Sequence, residues 1–323
     1  MTSPVVDVYI TPDHAERSLR RDALVGLTSN PRWLPPKWFY DARGSDLFEE
    51  ITRLPEYYPT RSESSILSAH AADIARLTGA HTLVELGSGS SEKTRVLLDA
   101  LRDEGSLAQY VPLDVSESAL RDAVKAIHED YPMLAIRGVV ADFTEHLDRI
   151  PGQTPRLVAF LGGTIGNLLP HERAVFLREL HKTLATGDWI LLGTDLVKGP
   201  DVLVPAYDDA GGVTADFNRN VLAVLNREMG ANFDLANYEH VAIWDARNEW
   251  IEMRLRAVAA AEVTLPELAL DIVLEAGEEI RTEISAKFRR EGLERELANA
   301  GYSLDFWWTD PKGLFALSLA RAQ

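Results

Sequence analysis

The chain has 323 residues, more than one hydrophobic core usually organises, so two domains are expected. It contains no cysteine, which excludes disulfide staples and thiolate metal sites and points to the cytoplasm. Acidic residues outnumber basic ones by 50 to 33, and the resulting charge of −17 repels phosphate backbones, so no nucleic-acid partner is expected.

The opening residues carry no basic segment followed by an apolar run, and no later stretch reaches the ~18 apolar residues of a membrane span. No membrane partner is expected, and a monomer is the expected state. Leu19, Leu24, Val25 and Leu27 among charges predict an amphipathic helix over 14–28, stopped by Ser29-Asn30-Pro31. Residues 33–61 then collect two tryptophans, two phenylalanines and three tyrosines with prolines at 35, 36, 55 and 59. Such a segment is not one helix, and its aromatic rings need a surface to bury them or a ligand to surround.

From residue 62 helices and strands alternate. Strands are expected at 82–86, 110–114, 135–140, 157–161 and 189–195, with helices at 92–103, 116–129 and 171–184 between them. That rhythm specifies a doubly wound parallel sheet covered by helices on both faces. Beyond about 197 it fails, with helices near 201–210 and 215–230 and strands at 239–245, 250–258 and 268–275. It returns with a helix at 290–300, a strand at 302–309, a turn at Pro311-Lys312-Gly313 and a strand at 314–320, an antiparallel hairpin closing the sheet. The expected division is a sheet domain of 61–196 with 286–323, and an α+β domain of 1–60 with 197–285.

Glu85-Leu86-Gly87-Ser88-Gly89-Ser90 lies between the first strand and its helix, where glycines permit a tight turn and close approach of a ligand. A dinucleotide fingerprint wants a third glycine where Glu92 stands, so pyrophosphate binding is disfavoured. Asp114 ends the next strand 25 residues after Gly89, placed to accept both hydroxyls of a ribose. Asp142-Phe143 follows the third strand, placed to meet an adenine amine and cover its ring. Asp114 and Asp142 equally suit helix N-caps, Asp142 for a helix at 144–149. Together the three positions favour an adenosine ligand without pyrophosphate, and S-adenosylmethionine fits. A parallel sheet with a terminal hairpin is then the class I methyltransferase (Rossmann-like) fold.

Longer motifs carry a family resemblance. They are Leu34-Pro-Pro-Lys-Trp-Phe-Tyr-Asp41, Gly44-Ser-Asp-Leu-Phe48, Ile51-Thr-Arg-Leu-Pro-Glu-Tyr-Tyr-Pro-Thr-Arg61, Gly163-Thr-Ile-Gly-Asn167, Ala206-Tyr-Asp-Asp209, Phe217-Asn-Arg-Asn-Val-Leu-Ala223 and Lys287-Phe288. With these the chain resembles, over nearly its whole length, the histidine-specific methyltransferases that make trimethylhistidine (hercynine) for ergothioneine biosynthesis. The resemblance implies that Gly87, Lys93, Asp114, Asp142 and Phe143 hold the cofactor. It implies that Tyr57 and Tyr207 hold the carboxylate of L-histidine, that Asn167 holds its amino group, and that Glu283 and Ser285 hold the imidazole. Tyr40, Phe48 and Gly162 would line the methyl-accepting pocket, with Tyr40 and Asn167 at the reacting nitrogen. The second domain would be the histidine-binding one, and no metal is expected. The family pattern leads one to expect Ser at Gly163 and Cys at Ala286.

Read from the residues alone, Tyr57 suits a core, Tyr207 a helix contact, Asn167 a turn and Glu283 a surface or strand-pairing position. If the run containing Glu283 and Ser285 is a strand, both point to one face. Two other functions fit the same features: a small-molecule N-methyltransferase for another amino acid or amine, and a non-catalytic adenosine-binding regulator.

Overall fold

The computed structural model describes residues 3–89 and 93–323 and divides into two compact units. The first comprises Met1–Ile10, Pro59–Val197 and Phe288–Gln323. Its eight strands run in the order Val5–Val8, Ala135–Val140, Gln109–Asp114, Thr82–Leu86, Arg156–Phe160, Trp189–Asp195, Phe315–Ala322 and Tyr302–Thr309. All neighbours pair in parallel until Phe315–Ala322, which is antiparallel to the strands on both sides. This is the doubly wound sheet with a terminal antiparallel hairpin.

The central strands Thr82–Leu86, Arg156–Phe160 and Trp189–Asp195 are buried at every position, as helices on both faces require. The helix Thr94–Glu104 shows why the pattern folds this way: Leu97, Leu98 and Leu101 recur at helical spacing and are buried, and Gly105 ends the helix in the left-handed region. Ile66, Leu67 and Ile74 of the helix Tyr58–Thr78 join Leu83, Leu191 and Phe315 in one core. In the hairpin the Asp310 carboxylate accepts the N–H groups of Lys312, Leu314 and Phe315, and Gly313 takes φ 65°.

Two sequence expectations need correction here. Val5–Val8 is an edge strand paired with Ala135–Val140, so the first ten residues belong to the sheet unit and not with 11–60. The strand is short, and Val5 and Val8 are exposed, so it lacks the alternation that reveals a half-buried strand. At the other boundary Ala286 and Lys287 fall in the second unit, because Ala286 completes a strand there. The start of the expected helix at 92–103 lies outside the described residues.

The second unit, Thr11–Tyr58 with Lys198–Lys287, has a four-stranded sheet ordered Arg32–Trp33, Glu279–Ala286, Trp250–Ala257 and Tyr238–Asp245. The helix Val213–Met229 contributes nine buried residues, Phe217, Asn218 and Asn220 among them. The helix Pro200–Tyr207 stops earlier than the expected residue 210, with Pro205 in its last turn. The expected strand over 268–275 is one arm, Leu270–Leu274, of a hairpin whose other arm Ala261–Leu265 was missed. Among the described residues no helix is long and apolar enough to cross a membrane.

Candidate active site

In the sheet unit the expected cofactor residues gather at carboxyl ends of strands, where an open α/β sheet holds its ligand. Gly87 and Gly89 adopt φ 69° and 48°, and a Cβ on either would meet no atom within 4 Å. The turn between them is therefore a left-handed cradle that no described residue fills. The buried Ser88 hydroxyl has no hydrogen-bond partner among the described residues, so the cradle holds an unused polar atom. Asp114 accepts the Gly89 N–H through Oδ2 at 2.9 Å and the Ser116 N–H through Oδ1 at 2.9 Å. A carboxylate has about four lone-pair sites, so these bonds fix its plane and leave acceptor capacity for ribose hydroxyls. Burial pushes this carboxyl above its ordinary range, while the N–H groups of Ser116 and Gly89 oppose the shift. Ser116, not Asp114, N-caps the following helix Glu117–Asp130.

Asp142 takes the Thr144 N–H and hydroxyl on Oδ1, at 2.8 and 2.6 Å. It stabilises a turn and caps no α-helix, since only the 3-10 turn Leu147–Arg149 forms there, with His146 at its N-cap. Phe143 rests edge-on against Phe160 at 5.0 Å between ring centres. The carboxylate acceptors and the glycine turn fit an adenosine with a short charged tail.

Lys93 is held by a residue that sequence reasoning missed. Glu63, with no exposed surface, binds the Lys93 ammonium through Oε2 and accepts the Gly162 N–H through Oε1 at 2.8 Å. A Cβ on Gly193 would lie 2.1 Å from Glu63 Oε1, so the neighbouring strand makes room for this carboxylate with a glycine. The available signal was a charge on the apolar stripe of a helix, one turn before Ile66 and Leu67. Glu85 is likewise buried; Thr94 and Tyr110 donate to it, and desolvation nonetheless pushes its carboxyl up to about 7. Asn167 ends the 3-10 turn Thr164–Asn167 and is half-buried. Gly163, where serine was expected, takes φ 73°, a conformation that suits glycine.

In the second unit the proline-broken segment folds into an aromatic wall. Asp41 caps the helix Ala42–Arg53 by accepting the Gly44 N–H, and Asn220 donates to both Asp41 and the Phe39 carbonyl. Gly44 packs so tightly that a Cβ would sit 1.6 Å from the Phe39 oxygen. This clamp fixes Tyr40, whose ring meets Phe48 and Phe217 edge-on at 5.5 Å each. Phe48 meets Tyr57 at 6.3 Å, and Tyr57 meets Tyr207 at 6.5 Å. Phe217 was quoted in a sequence motif but given no role; it joins Tyr40 to Phe48.

Glu279–Ala286 is a strand, and Glu283 and Ser285 lie two apart beyond a register shift that ends at Glu283. Glu283 is buried, which removes the surface reading. The Ser285 hydroxyl meets the Tyr207 hydroxyl at 2.7 Å, and the buried Lys287 ammonium donates to both at 2.8 Å. His240 steadies the Tyr207 backbone through a 2.7 Å contact between Nε2 and the carbonyl, while Nδ1 meets Asn218 at 2.8 Å. Burial holds the His240 imidazolium below its ordinary pKa, so the ring is neutral and Nε2 carries the donated proton.

The histidine N-alpha-methyltransferase of Mycolicibacterium smegmatis is 58% identical over 97% of each chain. Its namesake in Mycobacterium tuberculosis is 54% identical over the same shares. The ergothioneine biosynthesis protein 1 of Neurospora crassa is 29% identical over 90% of this chain and 34% of its own. Residues 19–322 match the family model described as histidine-specific methyltransferase, SAM-dependent, and the chain therefore belongs to that S-adenosylmethionine-dependent family.

Proposed function

We propose that this enzyme methylates the α-amino nitrogen of L-histidine three times, giving hercynine for ergothioneine biosynthesis, as a cytoplasmic monomer acting on the free amino acid. Bound S-adenosylmethionine supplies an electrophilic methyl group on a sulfonium, a chemistry that calls for no metal. In the sheet unit, Gly87 and Gly89 carry no side chain and so let the ligand approach closely, and Asp114 accepts the ribose hydroxyls. Asp142 and Phe143 take the adenine, and Lys93, anchored by Glu63, binds the tail. Gly162 and Asn167 serve the accepting amine from this unit. In the second unit, Tyr57 and Tyr207 hold the substrate carboxylate, Glu283 and Ser285 the imidazole, and Tyr40 and Phe48 the face of the amine.

Displacement at a sulfonium is in-line, so the residues chiefly orient a neutral amine and exclude water. The α-amino group of a free amino acid is largely protonated at neutral pH and must lose a proton before each transfer, and Tyr40 is the proposed participant in that loss. The observation that carries histidine as substrate is the buried Glu283 carboxylate beside Ser285 on one strand, two polar groups spaced for an imidazole. Mass spectrometry of L-histidine incubated with the protein and S-adenosylmethionine is the test. Addition of up to three methyl groups supports the proposal, and an unchanged histidine mass overturns it.

A further inference from the structure

Glu63 is fully buried, yet the cation it binds, Lys93, keeps 29% of its side chain exposed. The other carboxylate oxygen accepts the Gly162 N–H at 2.8 Å, and a Cβ on Gly162 would lie 3.9 Å from Lys93 Nζ. Carboxylate, ammonium and glycine turn therefore form one compact cluster within the sheet unit. Gly193 leaves room for it, since a Cβ there would lie 2.1 Å from Glu63 Oε1.

Taking a carboxylate out of water is costly, and a partly exposed lysine stays charged without a buried partner because water solvates it. What the buried partner changes is the net charge of the cluster, which Glu63 and Lys93 bring to zero. The anionic tail of S-adenosylmethionine calls for an ammonium, but the same ligand carries a sulfonium a few bonds away. An unbalanced ammonium would attract the tail and repel the sulfonium, and like charges interact strongly where water is scarce.

We propose that Glu63 is a specificity-determining residue: its charge cancels that of Lys93 and so raises affinity for the sulfonium cofactor relative to its neutral product. The inference rests on Lys93 binding the cofactor tail and Gly162 lining the methyl-accepting pocket, as proposed above. Methyl transfer breaks the S–CH3 bond, leaves its electron pair on sulfur and forms an N–CH3 bond, so the spent cofactor has lost its positive sulfur. A balanced cluster therefore eases exchange of spent for fresh cofactor between rounds.

Affinities for S-adenosylmethionine and S-adenosylhomocysteine are measured by calorimetry without histidine, so that no transfer occurs. The proteins are wild type, Glu63→Gln and the double variant Glu63→Gln/Lys93→Met. Glu63→Gln keeps the shape but leaves the ammonium unbalanced, so the ratio of S-adenosylmethionine to S-adenosylhomocysteine affinity should fall about three- to thirtyfold. The double variant carries neither charge; both ligands should bind more weakly, while their ratio returns to within about twofold of wild type. An unchanged ratio in Glu63→Gln, as a purely structural residue would give, or a ratio equally low in the double variant, overturns the proposal. If Glu63→Gln no longer binds S-adenosylhomocysteine, Lys93→Met alone carries the comparison. There the carboxylate remains without the ammonium, so the ratio should rise, and an unchanged or lower one overturns the proposal. Undiminished S-adenosylhomocysteine affinity in Lys93→Met refutes the tail reading of Lys93, a failure separate from that of Glu63.

Discussion

Glu283 and Asp114 are both carboxylates with little water around them, and they are proposed to do different work because their surroundings differ. Asp114 is fixed by two backbone N–H groups of its own turns, which orient it and leave acceptor capacity. Asp114→Ala should weaken S-adenosylhomocysteine binding by roughly 1.5–3 kcal/mol through lost bonds to the ribose. Calorimetry reads this directly, and unaltered affinity would reduce Asp114 to a turn residue. Glu283 is buried on its strand, and its proposed partner is an imidazole N–H, which would make a charge-assisted bond. Glu283→Ala should weaken histidine about 10- to 150-fold with the spent cofactor present, and Glu283→Gln should fall between it and wild type. Cofactor affinity is the control for folding, and equal histidine affinity in all three proteins would place the imidazole elsewhere.

At the scale of elements, the segment Pro36–Arg53 acquires its shape from a partner distant in sequence, the helix Val213–Met229. Asn220 ties its turn, and Phe217 supplies the ring between Tyr40 and Phe48. If the proposed pocket places the amine against these rings, they attract its methylated cation by roughly 0.5–2 kcal/mol. Tyr40→Ala should therefore slow every round of transfer, so that mono- and dimethylhistidine accumulate in a time course. A wild-type time course from this variant would exclude the role.

Glu85 joins three elements: its own strand, Tyr110 of the next strand and Thr94 of the following helix. Its folded pKa of about 7 lies above its unfolded value, because desolvation outweighs the two donors. A carboxyl raised in this way contributes stability that is fully present below about 4.3 and is lost as pH rises through 7. Glu85→Gln should thus gain on wild type between pH 5.5 and 8.5, by about 1–3 kcal/mol. Thermal unfolding of the two proteins at both pH values checks it; a constant difference would show that Glu85 stays ionised throughout.

For the molecule as a whole, the charge of −17 makes an attractive field for cations. S-adenosylmethionine carries one net positive charge at neutral pH, whereas S-adenosylhomocysteine carries none. The association rate of the former should fall by a few-fold between about 0.02 and 0.5 M salt, while that of the latter stays nearly level. Stopped-flow binding compares them, and identical salt slopes would deny any steering.

What the sequence by itself determined is local chemistry. Helical and strand periods, the glycine turn at 87–89 and acids at strand ends depend on near neighbours, so the sheet and the turn at its edge were legible there. Glu283 and Ser285 were legible as a pair only once their run was known to be a strand. Tertiary structure alone decided the rest. Tyr207 and Ser285 meet across 78 residues, Glu63 and Gly162 across 99, and Asn220 and Phe39 across 181. A lysine in sequence is most often a solvated charge, and a glutamate on a helix most often an exposed one. Only burial turns Lys287 and Glu63 into fixed donors and acceptors, and burial is set by which distant segments pack against them.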